Sequence, residues 1–258
     1  MNPKLVCLLS DFGSKDHYVA VMKARILQQC PGAALVDLTH QVSPQSISEG
    51  SYYLLQSVRY FPQGTVFLAV VDPGVGSGRK AIAVGAGDYF LVGPDNGLLS
   101  ETVSSLGGLR EAVEMETPAG SSHTFHGRDV FAPAAGRLAA GAFLPSLGTP
   151  LEQLVQLTPG TTIFHRNKLQ VTILAIDHFG NVIFDFSAQP GWEPLQLGTR
   201  FTIQGRRAVF ATTFSRVPPG DSLLLWNSSE HLELAVRNGN AAQAWGLKVG
   251  QLVSIECC

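Results

Sequence analysis

The spacing of apolar residues changes near residue 157, and this change most strongly limits what the chain can fold into. Before it, short apolar runs alternate with segments whose apolar residues recur at helical spacing. After it, apolar and polar residues alternate at period two, and only GNAAQAWGL (239–247) has a helical pattern. The pattern predicts an α/β domain followed by a smaller all-β barrel or sandwich.

Two strand-and-helix units begin the predicted α/β domain. LVCLLS (5–10) is predicted to be a strand, and Ser14 is predicted to cap the helix that follows. ALVDLTH (34–40) predicts the next strand, and Ser46 and Glu49 have the spacing of a capping box. Apolar strands with a helix after each predict a largely parallel sheet covered on both faces. The predicted boundaries are 1–157 for the α/β domain, 158–167 for a linker and 168–258 for the β-barrel domain.

The charge and cysteine content exclude several classes of protein. The 258 residues include 18 Lys and Arg against 20 Asp and Glu, so no basic excess predicts binding to nucleic acid or to an anionic membrane. The apolar runs are too short to span a bilayer. The four cysteines show no C-x-x-C spacing, which fits a reducing compartment and gives no zinc knuckle. We therefore expect a cytoplasmic protein that acts on a small ligand or a protein partner.

Carboxylates stand where two predicted strands end. Asp11 follows LVCLLS, and Asp72 follows the strand TVFLAVV at the start of a glycine loop that ends at Arg79. Ligands of such sheets bind beyond the carboxyl ends of the strands. With His126 of the segment TFHGRDVF, Asp72 and Arg79 have the groups needed to hold and deprotonate a water molecule. The alternative is a turn stabilised by an ion pair, with an unrelated histidine.

Other candidate residues also have a structural alternative. An acidic loop carries Asp11 and Asp16, whose carboxylates could bind ribose hydroxyls or a cationic amine. The alternative is that they only cap the helix that follows. His123, His126 and Asp129 could hold a metal, as in a metal-dependent phosphohydrolase, but the spacing completes no coordination sphere and we expect no metal. The glycine loop has neither P-loop nor Rossmann spacing.

The β domain contains a possible site for an adenine base. Phe179 and Asn181 flank a glycine, and a ring with a carboxamide is what an adenine edge requires, although a plain hairpin is the commoner explanation. Ser228 and Glu233 are either further binding residues or ordinary turn and strand residues.

The segments quoted above, taken in order, resemble one family. The ordered matches are LLSDFGSKDHYVAVMKARI, VDLTHQVSPQSISEG, FPQGTVFLAVVDPGVGSGRKAIAV, VGPDNGLLS, TFHGRDVFAPAAGRLAAG, DHFGNVIFDF and NSSEHLELAVRNGNAA. They cover nearly the whole chain and resemble the S-adenosylmethionine (SAM) hydroxide adenosyltransferases, also called SAM hydrolases, which are relatives of fluorinase and chlorinase.

The resemblance implies an α/β domain joined to a β-barrel domain, in a homotrimer whose active sites lie between subunits. It implies that Asp72, Arg79 and His126 hold the attacking water or hydroxide. It also implies that Asp11 binds the ribose hydroxyls and that Asp16 meets the methionine amine. The residues it assigns to the adenosine pocket are Phe179, Asn181, Ser228, Glu233 and the backbone near Val236, and Asp72 is also expected to bind the substrate. The match is looser at 228–238, where this chain has SSEH and the family usually has a glycine.

The chain departs from the halogenating relatives at three positions. They have tyrosine, threonine and serine where this chain has Asp72, Val75 and Gly127. A carboxylate beside the nucleophile should repel a halide ion. The resemblance therefore implies hydrolysis of SAM to adenosine and methionine by attack of water on the ribose 5′ carbon, with no cofactor. The alternatives are a SAM or adenosine sensor without catalysis, and a SAM halogenase.

Overall fold

A computed structural model describes residues 4–165, 168–187 and 196–257. The chain divides into two compact units, Met1–Thr158 and Pro159–Cys258. Within the stretch 158–167, which the sequence predicts as a linker, Thr162–His165 form a strand that pairs with the strand beginning at Lys168. A four-residue strand at a sheet edge is too short for periodicity to identify.

The first unit contains a seven-stranded mixed sheet. Its strands are β1 Leu5–Ser10, β2 Ala34–Thr39, β3 Val66–Val70, β4 Ala81–Ala86, β5 Tyr89–Pro94, β6 Glu111–Met115 and β7 Gly148–Pro150, in the order β2-β1-β3-β5-β4-β6-β7. One half of the sheet, β2-β1-β3-β5, is parallel throughout. In the other half, β4 is antiparallel to both β5 and β6, and β6 is antiparallel to β7. The predicted parallel sheet is thus correct for one half only. β4 and β5 are joined by Gly87 and Asp88, and so short a connection allows only an antiparallel hairpin.

Helices cover both faces of this sheet. They are α1 Tyr18–Gln29, α2 Ile47–Ser57, α3 Ser100–Ser105 and α4 Ala132–Ala139. Side chains of β1 alternate between two cores: Val6 and Leu8 pack with α1 and α4, whereas Cys7 and Leu9 pack with α2 and α3. Burial on both faces explains why β1 is a continuous apolar run rather than an alternating one.

Neither predicted helix cap forms. α1 begins at Tyr18 with His17 at its N-cap, three residues beyond Ser14. Ser46 does precede α2, but its side chain caps nothing within the described residues. The carboxylate of Glu49 is buried and accepts instead from the backbone N–H of Ser43 at 2.7 Å and from the hydroxyl of Tyr53. Tertiary burial therefore outweighed the local capping pattern.

The second unit is a closed barrel of seven strands, which confirms the predicted fold class. The elements are β8 Thr162–His165, β9 Lys168–Ile176, β10 Val182–Ser187, β11 Arg200–Ile203, β12 Arg206–Phe210, β13 Ser222–Trp226, β14 His231–Val236, β15 Leu252–Cys257 and α5 Ala241–Trp245. The ring runs β9-β10-β14-β13-β12-β11-β15 and returns to β9, and β8 adds to the edge of β9. Within the described ranges, no helix is both long and apolar enough to cross a bilayer.

Candidate active site

The glycine loop after β3 brings the two ends of its sequence together. The backbone N–H of Val75 donates to the carbonyl of Asp72 at 3.2 Å, and Ser77 donates to Gly74 at 3.1 Å. These successive turns return the chain to Arg79, whose Nε lies 2.9 Å from Asp72 Oδ1 and whose Nη2 donates to Asp72 Oδ2. The result is a bidentate guanidinium–carboxylate pair, the strongest geometry for such a contact.

A second close approach places the imidazole. Gly76 has φ +76°, and a Cβ atom there would lie 2.5 Å from the carbonyl oxygen of His123. Only glycine therefore allows the loop to pack on the segment that carries His126. His126 Nδ1 then lies 3.0 Å from Arg79 Nη2. The structure thus brings together the three residues predicted for catalysis, Asp72, Arg79 and His126, which we call the triad.

The triad is nearly buried and its protonation is constrained. The side chains of Asp72 and Arg79 are 5% and 10% exposed, and His126 is 7% exposed. Burial, and then the positive charge of Arg79, lower the pKa of His126 below 6.5. Because a guanidinium only donates, His126 Nδ1 must be the acceptor and the neutral ring carries its proton on Nε2. The triad therefore combines one carboxylate, one cation and one neutral donor.

Asp11 lies at the carboxyl end of β1, as predicted. Its Oδ2 accepts from the backbone N–H of Gln45 at 2.8 Å. Gln45 has φ +66°, a conformation that is uncommon for a residue with a side chain. Asp16, by contrast, is exposed and makes no hydrogen bond or ion pair within residues 4–165, 168–187 and 196–257, and no contact links it to the triad.

Behind Asp11 lies a chain of polar side chains that sequence reasoning missed, of which Ser10 and His40 are buried and Asp37 is exposed. Ser10 Oγ lies 2.7 Å from His40 Nδ1, and His40 Nε2 lies 3.0 Å from Asp37 Oδ1. Ser10 Oγ also accepts from the N–H of Phe12, and the carbonyl of His40 accepts from Gly13. His40 thus holds the turn that follows Asp11 at both ends.

The sequence DLTH at the carboxyl end of β2 could have revealed this chain, because β2 is expected beside β1 and its end therefore lies near Asp11. Asp37 also pairs with Lys23 at 2.6 Å, and hydrogen bonds from Lys23 and His40 lower its pKa against the opposing effect of burial. Asp37 is therefore charged at neutral pH, which favours a donor at His40 Nε2 and leaves Nδ1 to accept from Ser10.

The second unit has a cavity of about 560 Å³ beside the turn from β9 to β10. Phe179, Asn181 and Val236 line it, as the resemblance implied for an adenosine pocket, together with Phe214 and Arg237. Phe179 is 72% exposed, so most of this residue is accessible to a ligand. The volume falls within the range of small-molecule pockets.

Ser228 and Glu233 are not among the residues that line this cavity. Ser228 is exposed in the turn between β13 and β14. Glu233 is buried in β14, and burial together with the nearby charge of Asp177 raises its pKa to about 7, although a hydrogen bond from Asn227 opposes the shift. Glu233 nevertheless lies beside the turn that carries Phe179 and Asn181, because it pairs with Ile183 and is close enough to Asp177 to feel its charge.

The alternative metal ligands do not converge. Asp129 forms a bidentate pair with Arg128 at 2.7 Å and accepts from the N–H of Ser122. His126 Nδ1 faces Arg79, and His123 is exposed. Across the described part of the chain, no group of three or more His, Cys, Asp or Glu side chains is arranged to hold a metal ion.

An α/β domain with a buried carboxylate, guanidinium and imidazole, followed by a seven-strand barrel with its own cavity, defines a class of two-domain enzymes that act on small molecules. Two family models match the chain: the SAM hydroxide adenosyltransferase N-terminal domain at residues 6–148 and the corresponding C-terminal domain at residues 171–254. The chain belongs to the SAM hydroxide adenosyltransferase family.

Individual relatives agree with this assignment. The chain is 40% identical to the (R)-S-adenosyl-L-methionine hydrolase of Salinispora tropica over 256 residues, which cover 97% of each protein. It is 29% identical to a fluorinase of Actinoplanes sp., over 98% of this chain and 97% of the relative. The crystal structure of an uncharacterized conserved protein from Thermotoga maritima superposes with a TM-score of 0.85 and 34% identity, over 97% of this chain and 99% of the other.

Proposed function

We propose that this protein hydrolyses S-adenosyl-L-methionine to adenosine and L-methionine, with attack of water or hydroxide on the ribose 5′ carbon. The observation that carries the proposal is the buried triad, in which Arg79 contacts both Asp72 and His126. The 40% identity to an (R)-S-adenosyl-L-methionine hydrolase over nearly the full length supports the same reaction.

The protonation of the triad suggests a role for each member. A water molecule beside it donates one hydrogen to the carboxylate of Asp72 and accepts from Arg79 and from Nε2–H of His126. Because Nδ1 is occupied by Arg79, His126 acts as a donor that stabilises hydroxide character, and Asp72 is the group that takes the proton. A well-placed base contributes a factor of about 10² to 10⁴ in rate.

The leaving group places few further demands on the protein. The sulfonium departs as a neutral thioether, so no general acid is needed. Hydroxide and sulfonium neutralise each other in the transition state, which a dry apolar wall favours. Phe125 supplies such a wall, since its ring packs edge-on against Phe12 at 5.9 Å and Tyr18 at 5.2 Å between centroids. Holding water and carbon in line contributes on the order of 7 kcal/mol.

Water suits this site better than a halide ion, although not for the reason that the sequence suggested. Asp72 is paired with Arg79, so its charge is largely neutralised and simple repulsion is weak. The carboxylate oxygens can, however, still accept a further hydrogen bond, which water can donate and a halide cannot. A serine at Gly127 would also be crowded, because its Cβ would lie 3.0 Å from Met22 Sδ and 3.2 Å from the ring of Phe125.

The remaining assignments belong to the same proposal. Asp11 binds the ribose hydroxyls and Asp16 the methionine amine, without any cofactor. The adenosine pocket comprises Phe179, Asn181, Ser228, Glu233 and the backbone near Val236, and Asp72 also binds the substrate through the attacking water. The protein acts in the cytoplasm as a homotrimer with sites between subunits, and the exposed ring of Phe179 beside the cavity supports a site that a second chain completes.

Incubation with SAM in ¹⁸O-labelled water tests the reaction. Mass spectrometry should find one ¹⁸O atom in the 5′-hydroxyl of released adenosine and none in methionine. SAM recovered intact would instead identify a binding sensor. Halogenated adenosine in the presence of chloride or fluoride would identify a halogenase.

A mixing experiment tests the shared site. Asp72→Asn and Asn181→Leu each inactivate one domain, so each variant alone should be inactive. If sites form between chains, refolding the two variants together should restore part of the activity, because one chain supplies an intact first domain and the other an intact second domain. Activity that stays absent after mixing, in a sample shown by light scattering to be trimeric, contradicts sites between subunits.

A further inference from the structure

The carboxylate of Asp177 organises the turn between β9 and β10. Its Oδ1 accepts from the backbone N–H of Phe179 at 2.9 Å and of Asn181 at 2.8 Å. Its Oδ2 accepts from the side-chain Nδ2 of Asn181 at 2.9 Å. Because a carboxylate offers only acceptors, the carboxamide of Asn181 must present its NH₂ group to Asp177. The orientation of the amide is therefore set by its partner.

The oxygen of the same carboxamide remains available. Asn181 lines the cavity, is 7% exposed, and its Oδ1 accepts no hydrogen bond within the described residues. The turn itself is held on its other side, where the carbonyl of Gly180 accepts from Ala242 at 2.9 Å and a side chain at Gly180 would collide with Asn240. The cavity thus contains an acceptor of fixed position on a turn fixed from two sides.

We propose that Asp177 is a positioning residue that sets the base preference of this cavity. This inference rests on the proposed function, in which the cavity receives the adenosyl group. The fixed Oδ1 of Asn181 accepts from the exocyclic amino group of adenine, and the second hydrogen of Nδ2 donates to a ring nitrogen. Hypoxanthine has a carbonyl in place of that amino group, which would set two acceptors against each other.

The variant Asp177→Asn tests the inference because it replaces one of the two acceptor oxygens at this position with a donor NH₂ group. The side-chain oxygen of the new asparagine must still accept from the backbone N–H groups of Phe179 and Asn181. Its NH₂ group therefore takes the place of Asp177 Oδ2 and faces the NH₂ group of Asn181. The carboxamide of Asn181 then has to turn over, with its oxygen toward position 177 and its NH₂ toward the ligand. Calorimetry should show the wild type binding adenosine at least about tenfold more tightly than inosine. In the variant this ratio should fall to one or below.

The ratio separates positioning from damage, since a merely distorted turn weakens both nucleosides alike. Asn181→Leu, similar in size, should bind both with a ratio near one. Asp221→Asn, which changes an exposed carboxylate of the same unit, should keep the wild-type ratio. If thermal melting shows that Asp177→Asn does not fold, the wild type and Asn181→Leu decide: equal binding of both nucleosides by the wild type, or retained preference in Asn181→Leu, overturns the inference.

Failure of the proposed function has a different signature. A wild-type protein that neither consumes SAM nor binds adenosine would refute the function and the inference together. A wild type that consumes SAM, with a folded Asp177→Asn variant whose preference for adenosine is unchanged, would overturn the inference alone.

Discussion

The guanidinium of Arg79 donates to Nδ1 of His126 over 3.0 Å, and this contact makes the imidazole a donor at its other nitrogen. To act as the base, His126 would have to accept a proton at Nε2. That nitrogen already carries the ring's hydrogen, because Nδ1 accepts from Arg79. The finding therefore favours Asp72 as the proton acceptor, a choice that residue types alone left open.

The same contact predicts the pH dependence of activity. Burial and Arg79 lower the pKa of His126 below its ordinary 6.5, so the ring stays neutral as the pH falls through that value. Protonated His126 would bring a second cation against Arg79. In a profile of kcat/KM against pH, we expect the fall in rate caused by protonation of His126 to occur below pH 6.5. This fall should be absent from His126→Ala. A histidine limb above pH 6.5 would contradict this assignment.

Asp72→Asn should lower kcat by about a hundredfold or more, because it removes the base and weakens the pair with Arg79. Adenosine affinity by calorimetry should change much less. Asp88→Asn, at an exposed turn position of the same domain, should leave both quantities unchanged. Near-normal turnover in Asp72→Asn and His126→Ala together would rule out the triad.

Two glycines of the same loop offer a matched comparison. A side chain at Gly76 meets the carbonyl of His123 and sits at φ +76°, whereas one at Gly78 meets no described atom within 4 Å. Gly76→Ala should lower the free energy of unfolding by about 1–3 kcal/mol and reduce turnover, since loop and histidine segment must separate. Gly78→Ala should stay within about 0.5 kcal/mol of the wild type. Urea unfolding measures both, and equal effects would show that the close approach is unimportant.

His40→Ala should weaken adenosine binding although His40 is not expected to touch the ligand. It removes the partner of Ser10 Oγ and so loosens the turn after Asp11. Leaving a buried polar group unpaired costs about 1–3 kcal/mol of stability. Asp11→Ala should lower the affinity for adenosine directly. His165→Ala, at an exposed strand position, should change neither adenosine affinity nor stability. Unchanged adenosine affinity in a folded His40→Ala protein would remove the positioning role.

Glu233 predicts a pH dependence of stability. Its pKa in the folded protein is raised to about 7 from 4.5, so the folded state holds a proton that the unfolded state releases between these values. The contribution is complete below pH 4.5 and is lost as the pH rises through 7. Unfolding in urea from pH 5 to 8 should show this decline in the wild type. Glu233→Gln, which cannot ionise, should show a flatter profile, and an identical slope in both would contradict the raised pKa.

Much of the site could be predicted because it depends on local sequence. Asp72 and Arg79 flank one glycine loop, and turn chemistry alone returns the chain on itself. The role of Gly76 could not be predicted, since the atom it makes room for is the carbonyl of His123, far away in the sequence. The failed caps at Ser14 and Ser46 have the same origin, because propensity at a helix end is weaker than burial.

The sequence by itself determined the two-domain organisation, the covered sheet, the all-β character of the second domain and the residue types of the triad, because periodicity and glycine placement act over a few neighbouring residues. Tertiary structure alone decided that half of the first sheet is antiparallel, that His40 holds the Asp11 turn, and that Glu233 is buried within reach of the charge of Asp177. It also decided the orientation of two ambiguous groups, the ring of His126 and the carboxamide of Asn181. Each is settled by a partner that can only donate or only accept, and such partners are identified only once the chain has folded.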